Sequence, residues 1–273
     1  MSLVGRRSAT IVGALLILGA LFLGSSFLTI DYLVDYWWFD SLVYAFYFWQ
    51  RLLYRYLVFA GVTGLFFAIF FSNFWVASRF LGTGSPPLES SKGQAMETYR
   101  NLVKMVRTGS LRVYTPLSLV LAIVIALPLF ERWEAFLLFV FGPDSSITDP
   151  AYGNDISYYL FSFPIYTLLQ RRILISFGVL LVGVLSLYWL EHRLLKAQEQ
   201  GLPKGARIHL CFLLLSVFGI EIWNFFLQRH DLLYISIYEP LFFGPGYTEM
   251  KVILPFIYTC IALLAITGLA FAR

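Results

Sequence analysis

Residues 208–227 read IHLCFLLLSVFGIEIWNFFL, an apolar run that contains a single carboxylic acid, Glu221. A helix rises about 1.5 Å per residue, so about 20 such residues cross the roughly 30 Å hydrocarbon core of a bilayer. Five similar runs lie near residues 10–30, 52–75, 113–133, 172–190 and 252–271. The pattern predicts an all-α integral membrane protein in which residues 1–273 form one bundle of six transmembrane helices.

The composition of the chain supports a membrane environment. Hydrophobic residues make up 59% of the 273 residues, and charged residues only 13%, about half the usual share in soluble domains. The net charge of +4 is spread along the chain rather than clustered, so nucleic acid is not a predicted partner. Cys211 and Cys260 fall at different depths of their spans, too far apart for a disulfide.

The distribution of basic residues predicts the orientation of the bundle. Arg6 and Arg7 precede the first span, which favours a cytoplasmic N-terminus. The alternating segments that would then face the cytoplasm hold thirteen of the twenty lysines and arginines. We therefore predict that both termini are cytoplasmic, in a bacterial inner membrane or an internal membrane derived from it.

Three connecting segments have distinct character. Residues 31–50, which include Trp37 and Trp38, are dense in aromatic rings and predict a short interfacial helix on the outer face. The cytoplasmic loop 76–112 contains a predicted basic amphipathic helix at 91–107, which suits anionic lipid headgroups or, alternatively, a cytoplasmic partner. The outer loop 142–171 predicts another short interfacial helix, capped by Asp155 and interrupted by Pro164.

Four sequence blocks give the chain a family resemblance. They are Trp38–Tyr44, Arg132–Glu134 with Phe141-Gly142, Asp149–Pro164, and Arg229–Tyr234 with Gly244–Glu249. In their order and spacing the chain resembles the N-terminal membrane region of the bacterial integral-membrane proteins called uncharacterised protein family 0182. Typical members are much longer, so the resemblance implies that this chain is a fragment or a short relative. It also implies a bacterial plasma membrane or thylakoid location, and no reaction, substrate or cofactor.

Glu221 is the sharpest single candidate for a functional residue. An ionisable group inside the hydrocarbon is costly and therefore suggests function. Asn224 lies one turn further along, and Tyr258 is expected at a similar depth in the sixth span, within reach of a hydrogen bond. The pattern allows a proton or cation site, or an acid held by hydrogen bonds for packing alone.

Other candidates carry weaker signals. His209 is a single possible axial ligand for a haem or pigment, and otherwise an interfacial histidine. Glu131, Arg132 and Glu134 predict an ion-pair cluster or an outer-face ligand site. The outer loop offers Asp144, Asp149, Asn154 and Asp155 for a cation such as Ca²⁺, but they lack the EF-hand spacing, and turn and helix-cap roles are the favoured explanation. A set of predicted outer-face interaction residues comprises Trp37, Trp38, Trp133, Glu134, Asp149, Asp155, Tyr158 and Tyr159.

These observations favour a non-enzymatic structural or accessory subunit of a larger membrane assembly, with other membrane proteins as partners. The alternatives are a transporter or channel for a proton or small cation using Glu221, and a pigment- or haem-binding subunit using His209. An intramembrane enzyme has the least support, because the sequence shows no nucleophile with an adjacent base and no metal-ligand spacing.

Overall fold

The computed structural model describes residues 29–81, 110–195, 203–235 and 244–272, together with a few isolated positions. Within these ranges the chain is helical, with one isolated β-bridge between Thr148 and Asp155. The helices are α1 (residues 29–41), α2 (Ala45–Phe80), α3 (Ser110–Glu131), α4 (Trp133–Phe141), α5 (Phe163–Leu195), α6 (Lys204–Asp231) and α7 (Leu254–Ala272). The predicted all-α fold is confirmed for these residues.

Five of the described segments are long and apolar enough to cross a membrane. They are Ala45–Phe80, Arg112–Glu131, Tyr158–Trp189, Lys204–Tyr234 and Glu249–Ala272. The predicted span near 10–30 and the amphipathic helix at 91–107 lie outside the described residues, so six spans stay a prediction. In the most apolar windows of the last two segments only 11% of the residues are buried. Apolar surface of this extent is unfavourable in water and suits contact with lipid.

Residues 1–57 form the first of two compact units. Its described part contains α1 and the start of α2, joined by a turn at residues 42–44. The Tyr36 ring contacts the Phe48 ring edge to face at 5.5 Å, and Arg51 forms an exposed ion pair with Asp35 at 3.8 Å. The interfacial helix predicted within residues 31–50 is therefore present at residues 29–41, whereas residues 45–50 belong to α2. Its position at the membrane surface stays a prediction.

Residues 58–273 form the second unit, whose core lies between helices α2, α3, α5 and α6. Its largest fully buried side chains include Phe66, Phe70, Leu129, Leu180, Tyr188 and Leu213. Aromatic and branched side chains recur on the inward sides of these helices, while their outward sides stay apolar and exposed. This pattern is typical of helices that pack against one another on one side and face hydrocarbon on the other.

The start of α5 differs from the prediction. A span was predicted near 172–190 with Pro164 as an interruption, but the helix is continuous through Pro164. A π turn at Tyr158–Ser162 precedes the proline, and the Phe163 N–H donates to the Tyr158 carbonyl five residues back. The wider turn accommodates a residue that has no N–H and whose ring would collide with an α-helical carbonyl.

The same solution occurs at the start of α7. A π turn at Glu249–Ile253 precedes Pro255, and the Leu254 N–H donates to the Glu249 carbonyl. The helix predicted to begin after Asp155 does begin at residue 156, but it runs on into the fourth span instead of ending at Pro164. The apolar run that follows the third span is the separate short helix α4, which begins after a break at Arg132.

Candidate functional site

Asp155 organises the outer loop between α4 and α5. Its carboxylate accepts hydrogen bonds from the Ser145 hydroxyl at 2.8 Å, the Ser146 N–H at 2.9 Å and the Ser157 N–H at 2.7 Å. The bond to Ser157 confirms the predicted helix cap. Hydrogen bonds from Ser157 and then Ser145 hold the pKa of this carboxyl well below its usual range. Asp155 therefore stays ionised and closes the loop onto the helix start.

Asp149 is the second acceptor in the loop. Its Oδ1 accepts from the Ala151 N–H at 2.9 Å, and its Oδ2 accepts from the Tyr152 N–H at 2.7 Å and the Tyr159 hydroxyl at 2.9 Å. Burial opposes ionisation of this carboxyl, but hydrogen bonds from Ala151, Tyr152 and Tyr159 lower its pKa overall. The carboxylate thus joins the loop to the π turn before α5.

His230 joins the same cluster from the end of α6. The side chain is only 4% exposed, and its Nε2 lies 3.3 Å from the Asn154 Nδ2, which also donates to the Tyr159 hydroxyl at 3.2 Å. The rings of Tyr152 and Tyr158 lie edge to face with the imidazole at 5.2 and 5.3 Å.

A further bond fastens the loop to the backbone of α6. The Tyr152 hydroxyl donates to the Arg229 carbonyl at 2.7 Å. The residues Asp149, Tyr152, Asn154, Tyr159 and His230 are called the outer network below. The side chains of the network bond to one another and to the backbone of the loop and of α6, so they hold the loop against α6.

Glu221 is half-buried on α6. Its Oε2 accepts a hydrogen bond of 3.0 Å from the Asn224 amide. Tyr258, which the sequence placed near Glu221, instead accepts a long bond of 3.5 Å from Arg229. The structure thus brings together two members of the predicted polar site and leaves the third with another partner.

A buried polar cluster around His209 joins three helices near their predicted cytoplasmic ends. The Tyr188 hydroxyl of α5 lies 3.1 Å from His209 Nδ1, and the Asn73 Oδ1 of α2 lies 3.3 Å from His209 Nε2. Asn73 also donates to the Ile69 carbonyl at 2.7 Å. Both ring nitrogens of His209 are therefore occupied, and ligation of a haem or pigment metal would have to break one of these bonds.

Sequence reasoning missed the partners of His209. Tyr188 and Asn73 lie in different spans and far from His209 along the chain, so no local pattern pairs them. A usable signal was present, because polar side chains inside long apolar helices need partners in other helices. Gln170 is a similar case, since its buried amide donates to the Ile220 carbonyl at 3.3 Å and so links α5 to α6.

The remaining predicted residues are dispersed. Trp37 and Trp38 are exposed on α1, Trp133 is half-buried and Glu134 is exposed in the first turn of α4. In the described ranges no ion pair joins Glu131, Arg132 and Glu134, so the predicted ion-pair cluster does not form there. No group of three or more metal-ligating side chains occurs in the same ranges, and Asp149 and Asp155 serve in turns and caps.

A helical fold with five helices long and apolar enough to cross a membrane is consistent with an integral-membrane protein. Within that class the model of the Uncharacterised protein family (UPF0182) matches residues 11–273, and the chain belongs to this family. The family resemblance seen in the four sequence blocks is thereby confirmed.

Two relatives show how much of the longer proteins the chain covers. A UPF0182 protein of Syntrophobacter fumaroxidans is 57% identical over 91% of this chain, and one of Nitrosococcus oceani is 51% identical over 97%. The chain spans only 28% and 30% of the length of these two relatives. No solved structure matches the chain.

Proposed function

We propose that this chain is a non-enzymatic structural or accessory module of a larger assembly in a bacterial inner membrane, with both termini cytoplasmic. Its outer loop would be the surface that contacts another membrane protein. In this arrangement the basic cytoplasmic loop 76–112 would contact anionic lipid headgroups.

The observation that carries this proposal is a fixed outer loop with exposed apolar side chains. The outer network and Asp155 hold the loop backbone, yet Ile147 within it is 61% exposed and Phe141 just before it is 79% exposed. Exposed apolar groups on an ordered loop are typical of a surface that another protein covers.

Replacing Ile147 with glutamate tests the proposal. We expect wild-type protein extracted gently from its native membrane to migrate as a complex larger than one chain in its micelle. Ile147→Glu should release the chain from that complex without lowering its Tm, because the side chain is exposed and makes no core contact. Native mass spectrometry measures the first result and thermal unfolding the second.

Ile147→Leu is the matched control, since it keeps an apolar side chain of the same size and should leave the complex intact. A lone wild-type chain extracted from its native membrane would contradict the proposal. An Ile147→Glu complex of unchanged mass would contradict the assigned surface.

Transport of a proton or small cation through Glu221 is the second candidate function. The half-buried Glu221–Asn224 pair favours it, because an ionisable side chain in a span often marks an ion path. Flux into proteoliposomes that Glu221→Gln abolishes would support this candidate. Absence of flux in the wild-type protein would exclude it.

A further inference from the structure

A cavity of about 600 Å³ opens where α3 ends, α5 begins and α6 ends, all on the predicted outer side. Its volume falls within the range of roughly 300–1,000 Å³ that is typical of pockets for small ligands. Three charged side chains line it, namely Arg132, Arg171 and Asp231. The outer network borders it through Tyr159.

The three charges do not neutralise one another. In the described part of the chain no ion pair within 4.0 Å joins Arg132, Arg171 or Asp231 to an opposite charge. The guanidinium groups present fixed donors that match a phosphate or carboxylate, and the carboxylate accepts hydrogen bonds from an ammonium. The cavity therefore matches a ligand that carries both an anion and an amine.

Arg171 gives the strongest reason to expect a ligand. It lies in the helical segment Tyr158–Trp189, at the outer boundary of the predicted span 172–190, where a basic pocket between helices suits an anionic headgroup. An anionic group in the cavity would supply a partner for its charge. Arg132 is placed at the same cavity by the break between α3 and α4.

The rest of the wall is apolar and aromatic. Phe163 is buried and stacks on Tyr234 with ring centroids 6.0 Å apart and planes 13° apart, and Leu160 and Leu168 complete the apolar side. Such a wall suits the glycerol and first methylene groups of a lipid beneath a polar head.

We infer that this cavity binds a zwitterionic phosphoethanolamine group. Arg132 and Arg171 would hold its phosphate and Asp231 its ammonium. The group has two possible sources, the headgroup of phosphatidylethanolamine in the outer leaflet or soluble phosphoethanolamine. The inference is independent of the assembly role proposed above.

Binding measurements with the whole purified chain in detergent test this inference. Native mass spectrometry and thermal unfolding are run with phosphatidylethanolamine, phosphatidylglycerol and soluble phosphoethanolamine. We expect phosphatidylethanolamine to bind and to raise the Tm. Arg171→Gln should weaken its binding at least tenfold, and Asp231→Asn should weaken its binding while leaving phosphatidylglycerol binding unchanged, because only the amine contacts Asp231.

The controls separate an effect on binding from an effect on folding. They also separate the lipid headgroup from soluble phosphoethanolamine as the source of the ligand. Lys251→Gln removes an exposed cation that does not line the cavity and should change nothing, while Arg171→Lys keeps the charge and should retain part of the binding. If soluble phosphoethanolamine protects the protein as well as the lipid does, the headgroup alone is recognised. If the acyl chains are required, the source is the bilayer. Equal binding of both lipids, unaffected by either Arg171→Gln or Asp231→Asn, would overturn the inference.

Discussion

Replacement of His209 with alanine is expected to destabilise the bundle by about 2–4 kcal/mol, the usual cost of emptying a buried side-chain site. The substitution also removes the hydrogen-bond partner of the buried Asn73 Oδ1. A hydrogen bond between membrane helices is worth only about 0.6 kcal/mol on average, so the cavity supplies most of the loss. Thermal unfolding in detergent measures the effect as a lower Tm.

Two further variants define the origin of that loss. Ile208→Ala changes the neighbouring residue, which is 69% exposed, and should shift the stability by no more than about 0.5 kcal/mol. His209→Gln keeps a donor and an acceptor and should recover part of the stability. A visible absorbance band in wild-type protein that His209→Gln removes would instead support the haem or pigment alternative.

Replacement of Asp149 with alanine is expected to release the outer loop. Three hydrogen bonds of 2.7–2.9 Å to one carboxylate are lost, and bonds to a charged acceptor are worth about 1.5–3 kcal/mol each. Amide hydrogen exchange over residues 149–157 should accelerate by at least about tenfold, since about 1.4 kcal/mol corresponds to that factor. Asp144→Ala is the matched control, because Asp144 is exposed in the same loop.

The same carboxylate makes loop protection depend on pH. The folded-state pKa of Asp149 is lower than its ordinary value, so folding favours the ionised form. Its contribution is complete well above the unfolded pKa of about 3.9 and is lost as the pH falls below that value through the folded pKa. Asp149→Ala should remove this part of the acid sensitivity. If the protection of the loop amides in the wild-type protein did not fall at acid pH, the assigned role would be contradicted.

The sequence predicted the helical fold well because apolar run length is a local property. The predicted spans within the described residues are helical, apart from the break at Arg132 near the end of the third, and the family block at Asp149–Pro164 marks the loop that the outer network holds. The Asp155 cap was also predictable, since its acceptor and the Ser157 N–H are two residues apart.

Contacts between distant parts of the chain were not predictable in the same way. Asn73 and His209 are 136 residues apart, and Asn154 and His230 are 76 apart. Their pairing depends on the depth and rotation of separate helices, which a hydropathy pattern leaves open. Pro164 misled the prediction because a proline normally ends a helix, whereas here the π turn absorbs it.

The π turn at Tyr158–Ser162 also limits which changes in chain length the protein tolerates. A π turn contains one residue more than an α turn, so deleting one residue there would leave a regular helix. Every residue before the deletion would rotate by about 100° relative to α5, the angle that one helical residue subtends. Tyr159 and the loop before it would then turn away from His230 on α6. Insertions and deletions should therefore be rare between Asp149 and Pro164, and homologous chains can be aligned on a fixed spacing across this segment.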